Sequence, residues 1–305
     1  MSTIPGYLQS LVDDAAIFPP GDVPLAQAVK AHREYRSGAY RDLVGPLVVS
    51  DLRLPELVEV LREAAPEDEP SALPVAVVVS GGAGAIEPAV RWATGSGLLD
   101  LRGVEVALRD EDDLAHNARR VVTMVDQLAA SGELEETTTV SVEPPRVPDG
   151  EPSPPWLSAL DEIAAADHRL KLRTGGVTDD TFPGSAELAG YIEAALDREL
   201  RFKCTAGLHH ALRHRDQETG FEHHGFLNVL LATRASLDGL PSDDAVARLE
   251  ERDPDTIVAM LDEAGPDALL SARRWFTSIG SCSVLEPLED LVDLDLLPDL
   301  SQESA

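Results

Sequence analysis

Two lysines in β-rich segments are the residues of this chain whose type and placement most clearly predict chemistry. The 305 residues include only three lysines, Lys30, Lys171 and Lys203, against 22 arginines. Lysine can lose its proton when it is buried and then act as a nucleophile or a base, whereas arginine stays protonated. The segments RLKLRTGG (169–176) and RFKCTAG (201–207) each carry one lysine inside a predicted strand. These two lysines therefore predict amine chemistry rather than a generic positive charge.

The alternation of side chains along the predicted strands brings several charged groups to one face. Successive residues of a strand point to opposite faces, so the apolar set of each segment faces one way and the polar set the other. We expect the apolar sets to pack against helices, which sends the polar sets into the interior. The charged side chains sent inward are Glu105, Glu143, Lys171, Arg173 and Lys203. Unpaired burial of any of them is costly, so we expect these acids and bases to compensate one another.

Two inward lysines on neighbouring strands predict a Schiff-base mechanism. Each ammonium disfavours the charge of the other and burial lowers the pKa of both, so one amine can be neutral near pH 7. A neutral amine attacks a carbonyl carbon, and the resulting Schiff base withdraws electrons during carbon–carbon cleavage or formation. A nearby carboxylate, Glu105 or Glu143, can then move protons.

The elements that must position these residues read as alternating strands and helices. The candidate strands are AAIF (15–18), PLVVS (46–50), PVAVVVS (74–80), GVEVAL (103–108), TVSVE (139–143), LKLR (170–173), RFKCT (201–205) and FTSIG (276–280). Eight strands separated by amphipathic segments predict a (β/α)₈ barrel of the TIM type. A doubly wound open sheet is the alternative, because periodicity does not distinguish it from a closed barrel.

The organisation along the chain predicts one domain over residues 1–305. The segment of about 238–274 separates the seventh strand–helix unit from the eighth strand, and we interpret it as a helical insertion. The acidic end of the chain, about 293–305, is expected to fray.

Composition limits the partners. The chain has 55 acidic and 25 basic residues, a formal net charge of −30. Such a surface repels phosphate backbones and anionic lipid, so we expect neither nucleic acid nor membrane as a partner. The N-terminal segment has no basic start followed by an apolar run, and the two cysteines have no metal-ligand spacing. We expect a cytoplasmic protein that acts on a small molecule, and the sequence is compatible with a homo-oligomer.

Three short segments resemble the deoxyribose-phosphate aldolase group, class I aldolases built on a (β/α)₈ barrel. That group carries a Lys-x-x-Thr-Gly segment, which Lys171, Thr174 and Gly175 match. It also carries a Lys-x-Ser-Gly-Gly-Ile-Arg segment, which KCTAGLH (203–209) follows with conservative replacements. A strand with an acid between two valines is matched by VEV (104–106). Two other segments, VDDAAIFPPG and FEHHGFLNVL, resemble a bacterial family to which we assign no activity.

The resemblance implies roles for three residues. The intervals of 66 residues from Glu105 to Lys171 and of 32 from Lys171 to Lys203 are similar to those of the group. By this resemblance Lys171 would form the Schiff base, Lys203 would lower its pKa, and Glu105 would transfer protons. The chain also differs from the group: glutamate replaces its aspartate, Ala206 replaces a glycine, and His209 replaces an arginine.

The resemblance also implies where an anionic substrate would bind. Gly175 and Gly207 would lie in phosphate-binding turns, and Ser278, near the end of the eighth strand, would be a further donor, because backbone N–H groups of such turns bind anions. The predicted substrate- and anion-binding residues are Arg173, Thr174, Gly175, Gly176, Thr205, Gly207, His209, His210 and Ser278. We expect no cofactor and no metal.

A cluster of histidines follows the seventh predicted strand. Five of the eight histidines lie between positions 209 and 224: His209, His210, His214, His223 and His224. They allow three interpretations, namely a metal site, a set of donors for an anionic or polyol substrate, and a polar loop that precedes a helix.

Three functions follow from these observations. The leading one is a lysine-dependent lyase or aldolase acting on a small anionic carbonyl compound. The second is a metal-dependent hydrolase or isomerase that uses the cluster from His209 to His224. The third is a barrel that binds an anionic metabolite without turnover.

Overall fold

A closed barrel of parallel strands forms the centre of the computed structural model, which describes residues 4–63, 72–109, 112–147 and 152–299. In chain order the strands are β1 Val12–Asp14, β2 Val44–Ser50, β3 Leu73–Val79, β4 Leu99–Ala107, β5 Thr139–Glu143, β6 Arg169–Arg173, β7 Phe202–Thr205, β8 His214–Arg215, β9 Glu222–His223 and β10 Phe276–Ser281. The barrel closes in the order β1, β2, β3, β4, β5, β6, β7, β10, and β8 and β9 pair as a separate hairpin. The predicted (β/α)₈ barrel is therefore confirmed, and the open sheet is not formed.

Amphipathic helices surround the barrel. They are α1 Leu25–Ser37, α2 Leu54–Glu63, α3 Ile86–Gly95, α4 Leu114–Ala130, α5 Pro154–Ala165, α6 Ser185–Leu196, α7 Phe226–Leu237, α8 Ser242–Glu250, α9 Pro254–Arg273 and α10 Leu285–Asp293. Several begin where a side chain accepts a bond from an otherwise unpaired backbone amide. Asp113 accepts from the amide of His116 at the start of α4, and Asp253 accepts from that of Thr256 at the start of α9.

The apolar faces of the strands pack outward against the helices, as the alternation predicts. Leu170 and Leu172 on β6 are buried, as are Phe202 and Cys204 on β7. The rings of Phe202 and Phe276 stack with centroids 5.6 Å apart, which joins neighbouring strands β7 and β10 on the helix side. The main apolar core thus lies between the sheet and the helices, and the inward positions of these strands are left for polar groups.

The first strand lies three residues before the predicted segment AAIF (15–18). In the structure Val12–Asp14 pairs with β2 and β10, and the amide of Phe18 donates to the carbonyl of Ala15, closing a turn. The apolar residue Ile17 is buried in this turn rather than in the sheet. The prediction therefore placed the strand in the apolar turn, because the actual strand, Val12–Asp14, carries two acids.

Both acids of β1 are buried and point to opposite sides of the sheet. Asp14 faces the helices, where its carboxylate lies 3.0 Å from Nδ1 of the buried His32 on α1. Asp13 faces the barrel interior. The missed strand thus supplies an inward carboxylate.

The helical insertion predicted before the last strand consists of α8 and α9. Helix α9 is interrupted at Gly265, whose φ of 75° is left-handed, and at the following Pro266. Beyond α10, Leu297 is buried and the hydroxyl of Tyr40 donates to the carbonyl of Pro298. The rest of the predicted frayed tail, residues 300–305, lies outside the described residues. Among the helices that the structure describes, none is long and apolar enough to span a membrane.

Candidate active site

Lys171 and Lys203 lie side by side inside the barrel. They are aligned partners on the parallel strands β6 and β7, and both are buried, with 5 % of Lys171 and 4 % of Lys203 exposed. Their apolar neighbours in sequence face the helices, so both ammonium groups must face the interior. The register therefore brings the two amines together as the alternation predicted.

Glu105 joins the two lysines. Its Oε2 lies 2.7 Å from Nζ of Lys171, and its Oε1 lies 2.6 Å from Nζ of Lys203. Glu105 is on β4, so its side chain reaches across the barrel to β6 and β7. Ser141, its aligned partner on β5, is small and leaves room for this reach. One buried carboxylate is thus shared by two buried amines.

Asp13 closes the cluster on the other side. Its Oδ2 lies 2.5 Å from Nζ of Lys203 and accepts a hydrogen bond of 2.7 Å from the hydroxyl of Ser278. The sequence analysis missed Asp13 because it placed the first strand at AAIF. Correct alternation within VDD would have sent Asp13 inward. Ser278, predicted as an anion donor at the C-terminal mouth, instead holds Asp13 inside the barrel.

Glu143 and Arg173 extend the cluster toward the C-terminal ends of the strands. Glu143 accepts a hydrogen bond of 2.7 Å from Nε of Arg173, and its other oxygen lies 3.2 Å from Nζ of Lys171. The carboxylate of Glu143 is nearly buried, whereas the side chain of Arg173 is 47 % exposed. Arg173 is therefore the member of the cluster that solvent or a ligand can reach most easily.

The paired charges set the pKa values of the carboxylates. Burial raises the pKa of Glu105, but the adjacent ammonium groups of Lys171 and Lys203 outweigh it and lower this pKa to about 2. Burial likewise raises the pKa of Glu143, and Lys171 and Arg173 outweigh it, so the pKa falls below its usual value. Both acids are ionised near neutral pH.

The pKa of Lys203 differs from the expectation of the sequence analysis. Burial does lower it, but Asp13 and Glu105 act more strongly together and raise the pKa above its usual value. The prediction that the pKa of both lysines would fall is therefore wrong for Lys203, although burial acts in the expected direction. The missing group was Asp13, whose carboxylate makes the ammonium form of Lys203 the favoured one.

A cavity of about 790 Å³ opens at the C-terminal ends of the strands. Glu105, Lys171 and Lys203 lie at its inner end, since all three are buried and line it. Its apolar wall includes Phe18, Pro19, Pro20, Val48, Val78, Phe182 and Phe221. Catalytic residues of TIM-type barrels lie at this end of the strands. The cavity is large enough for a small organic substrate to reach both amines.

The glycine turns after β6 and β7 are in contact. A Cβ built on Gly175 would lie 2.9 Å from Cα of Gly207 and 2.7 Å from Cε1 of Phe182, so only glycine fits there without a shift. Gly207 has a left-handed φ of 68° and lines the cavity, as Gly176 does. Gly175 itself does not line it, so close packing of the two turns accounts for this residue.

The two predicted threonines differ in their surroundings. Thr205 lines the cavity. Thr174 is fully buried, and its hydroxyl donates to the carbonyls of Thr205 and Ala206, at 3.2 and 2.6 Å. Thr174 therefore ties the end of β6 to the end of β7, and its hydroxyl is occupied.

Four of the five clustered histidines line the cavity mouth: His209, His210, His214 and His223. The fifth, His224, is buried outside the cavity lining, where its Nε2 lies 2.8 Å from the carbonyl of Pro183. The imidazoles pack against one another: His210 meets His214 edge to face, with ring centroids 4.6 Å apart, and His214 stacks on His223 at 5.0 Å. The cluster is a wall of the mouth rather than a convergent set of ligands.

The charge of these imidazoles differs from one to the next. Burial and the neighbouring histidines lower the pKa of His209 to about 4, and burial chiefly lowers that of His214. A hydrogen bond with Asp290 raises the pKa of His210. His209 is therefore neutral at pH 7 and can accept or donate one hydrogen bond, but it contributes no positive charge for an anion.

The described residues of the histidine cluster do not form a set of metal ligands. Within residues 4–63, 72–109, 112–147 and 152–299, no three side chains of His, Cys, Asp or Glu are disposed to hold a metal ion. The nitrogen of His209 that approaches other groups lies 3.2 Å from the hydroxyl of Ser281 and 3.3 Å from the sulfur of Cys282. The geometry thus lends no support to the metal-dependent alternative.

Comparison with known proteins does not assign the chain to a family. The chain matches no family model. No curated protein is similar to it either. The function must therefore be argued from the site.

Proposed function

We propose that this protein is a Schiff-base-forming carbon–carbon lyase of the aldolase type, acting on a small carbonyl compound with an anionic group. The observation that carries the proposal is the buried pair of amines that share one carboxylate. Nζ of Lys171 and Nζ of Lys203 each lie within 2.7 Å of Glu105, at the inner end of an open cavity. The likeness of three segments to the deoxyribose-phosphate aldolase group, which forms Schiff bases on such a barrel, supports the same assignment.

Lys171 is the proposed nucleophile. It lines only the C-terminal cavity, whereas Lys203 also borders a second cavity at the opposite end of the barrel. Lys203 is held at 2.5 and 2.6 Å by two carboxylates that favour its ammonium form. The contact of Lys171 with Glu143 is longer, at 3.2 Å. Lys203 is therefore the permanent positive charge beside the reacting amine, and Lys171 is the amine that can be released.

Arg173 and Glu143 provide a route for the proton of Lys171. In the resting site Arg173 and Lys171 together keep Glu143 ionised and acidic. A substrate anion that draws the half-exposed guanidinium of Arg173 away would remove one of these two cations. The pKa of Glu143 then rises, and Glu143 accepts the proton of Lys171 over the 3.2 Å contact. Lys171 would thus lose its proton only after the substrate has bound.

The proposed reaction consists of Schiff-base formation on Lys171 followed by cleavage of a carbon–carbon bond. The lone pair of the neutral Lys171 nitrogen attacks the carbonyl carbon and forms a carbinolamine. Glu143 returns the proton that it took from Lys171 to the departing hydroxyl, so water leaves and a protonated imine remains beside the Glu143 carboxylate. During cleavage the electron pair of the carbon–carbon bond moves into the imine, while a base takes the proton of the hydroxyl that becomes the aldehyde. Neutral His209 at the mouth and the carboxylate of Glu143 are the groups positioned to handle these protons.

Trapping with borohydride tests the proposal directly. The protein would be incubated with a panel of small aldehydes and ketones, with and without phosphate or carboxylate groups, then reduced and mapped by mass spectrometry. We expect an adduct on Lys171, and Lys171→Arg should abolish both the adduct and turnover because it keeps the charge and loses the amine. Lys30→Arg is the matched control, since Lys30 is the remaining lysine and its side chain is 80 % exposed. A full panel without an adduct on Lys171 or Lys203 would overturn the proposal.

Metabolite binding without turnover is the second candidate. The complete pairing of the buried charges of Asp13, Glu105, Glu143, Lys171 and Lys203 favours it, because a rigid recognition site needs no released amine. This candidate predicts ligand-induced thermal stabilisation that Arg173→Ala removes, with no product formed. Turnover that disappears in Lys171→Arg decides against it.

A further inference from the structure

A second cavity, of about 380 Å³, occupies the N-terminal half of the barrel interior. TIM-type barrels normally fill this space with bulky branched side chains. Here the inward positions of successive strands carry the small or short residues Pro46, Ala76, Gly103 and Ser141. Among the described residues no bulky apolar side chain from β2 to β5 lines it, and most of the residues that do line it are polar.

The walls of this cavity are basic, in a chain whose net charge is −30. Its charged lining residues are Arg102, Arg169, Lys203, Arg273, Asp13 and Glu105, four bases and two acids. Both acids are already bound to Lys203, at 2.5 and 2.6 Å. Arg102 is paired with Asp100. The charges left over are the guanidinium groups of Arg169 and Arg273.

Among the described residues neither of these arginines forms an ion pair, although Asp13 lies near enough to act on the pKa of both. All three nitrogens of the Arg273 guanidinium donate to backbone carbonyls, which are neutral groups: Nε to Tyr7, Nη1 to Phe276 and Nη2 to Gln9. Arg169 makes no side-chain hydrogen bond with the part of the chain that the structure describes. Two basic groups therefore border the cavity without a carboxylate in direct contact, and the nearby Asp13, which is bound to Lys203, is the acid that acts on both.

The two guanidinium groups also oppose each other. Burial, and then the nearby Arg201, lowers the pKa of Arg169, and these effects outweigh the opposing effects of Asp13 and Asp167. Burial lowers the pKa of Arg273 to about 10, although Asp13 raises it, and Arg169 contributes to the lowering. Arg273 still carries its charge at neutral pH. An anion between the two groups would relieve this repulsion.

Ser141 supplies a neutral donor at the same place. It is 3 % exposed, lines the cavity, and has no hydrogen-bond partner for its hydroxyl among the described residues. Ser141 and Arg169 are aligned partners of the neighbouring strands β5 and β6, so both present their side chains to the same inward face. Serine hydroxyls and arginine forks are the side-chain groups that suit a tetrahedral or planar oxyanion.

We propose that the N-terminal cavity binds a small oxyanion, such as inorganic phosphate, through Arg169 and Ser141 and in the positive field of Arg273. A volume of about 380 Å³ is more than enough for such an anion together with the waters that hydrate it. The site lies at the end of the barrel opposite the cavity of the proposed reaction and does not depend on that reaction. Asp13, Glu105 and Lys203 lie near both sites, since Glu105 and Lys203 line both cavities and Asp13 binds Lys203.

Calorimetric titration with inorganic phosphate tests the proposal, with sodium chloride added to keep the ionic strength constant. We expect saturable binding of one phosphate that Arg169→Gln weakens at least tenfold and Ser141→Ala weakens about threefold. Arg119→Gln is the matched control, because Arg119 is exposed and lines neither cavity, and it should leave this binding unchanged. Arg173→Gln tests whether phosphate binds at the other mouth of the barrel instead. Circular dichroism of each variant establishes that it is folded, and Arg169→Gln should fold because it relieves a repulsion.

Three results would overturn the proposal. The first is the absence of binding beyond the effect of chloride. The second is binding that Arg173→Gln removes and Arg169→Gln leaves intact, which assigns the anion to the C-terminal mouth. The third is binding that none of these variants changes. If Arg169→Gln does not fold, the Ser141→Ala and Arg173→Gln titrations decide between the two ends.

Discussion

Glu105 is the residue on which the interior of the barrel depends most. It is 3 % exposed and binds both inward lysines, so it offsets two positive charges at a place that water scarcely reaches. Removing one partner of a buried charge pair leaves an uncompensated charge, which is costlier than the pair itself is favourable. The same carboxylate lies at the inner end of the C-terminal cavity and is the one acid among the described residues that contacts both amines. Structural and chemical roles therefore fall on one side chain.

Glu105→Gln is expected to destabilise the protein by roughly 3–5 kcal/mol near pH 7, because it leaves two buried ammonium groups sharing a neutral amide. The expected result is a lower free energy of unfolding in urea. Glu162→Gln is the control: it breaks an exposed pair with Arg119, whose atoms lie 3.1 Å apart, and should change the stability by less than about 1 kcal/mol. Equal effects of the two substitutions would contradict the buried network.

The acid dependence of stability provides a separate prediction. The pKa of Glu105 is about 2 in the folded protein and near its usual value of 4.5 in the unfolded chain. The unfolded chain therefore binds the proton first as the pH falls. The stabilisation, roughly 3 kcal/mol, is fully present above about pH 4.5 and is lost as the pH falls toward 2. Urea unfolding between pH 6 and pH 3 should show a steeper decline for the wild type than for Glu105→Gln, and parallel curves would contradict the assignment.

At the scale of elements, strands β6 and β7 are short, and close packing of the turns that follow them holds their C-terminal ends together. The strands span Arg169–Arg173 and Phe202–Thr205, and their following turns meet at Gly175 and Gly207 beneath Phe182. The two lysines lie on these strands, so the alignment of the amines depends on this contact. A change that separates the turns should loosen the site as well as the fold.

Gly175→Ala tests this contact. The added methyl would lie 2.7 Å from the ring of Phe182 and 2.9 Å from Cα of Gly207, so we expect a loss of about 1–3 kcal/mol in the free energy of unfolding. Gly95→Ala, at the end of α3 with nothing within 4 Å of the added carbon, should be neutral or stabilising by up to about 1 kcal/mol. Thermal or urea unfolding of both variants measures the difference. A neutral Gly175→Ala would mean that the turns separate without cost.

At the scale of the whole molecule, like-charge repulsion acts on the folded state. The formal charge is −30, and most ion pairs lie at the surface, where each contributes little. Salt weakens both the repulsion among like charges and the attraction within surface ion pairs. Because acids are in excess, the destabilisation by repulsion is larger than the stabilisation by the pairs. The buried cluster inside the barrel is screened much less. The protein therefore combines a salt-sensitive surface with an interior that salt hardly affects.

Raising sodium chloride from about 10 mM to about 0.5 M should raise the melting temperature by several degrees, because the Debye length falls from about 30 Å to a few ångströms. The control is a double variant, Glu59→Lys with Glu263→Lys. Each exchange removes a negative charge and adds a positive one at an exposed position, so the net charge changes from −30 to −26, and the variant should gain less from salt. Differential scanning calorimetry at fixed pH measures both. A melting temperature that falls with salt would show that surface ion pairs outweigh the repulsion.

Local patterns in the sequence were enough to predict most of the architecture. Alternation within RLKLR and RFKCT determines that Lys171 and Lys203 share the inward face, because the period of a strand is a property of a few consecutive residues. The order of strands and helices, and the insertion before the last strand, follow from hydrophobic periodicity in the same way. The first strand was misplaced for the same reason, since VDD (12–14) carries two acids and the adjacent AAIF is apolar.

Only the tertiary structure decided which charges meet. Asp13 and Lys203 are 190 residues apart in sequence, and closure of the barrel between β1 and β10 brings them to 2.5 Å. That contact reverses the expected direction of the Lys203 pKa, because a pKa depends on the distance to every nearby charge and not on the residue's own burial alone. The sequence by itself thus determined which side chains face inward, and the closed barrel decided how they are paired and which amine remains available.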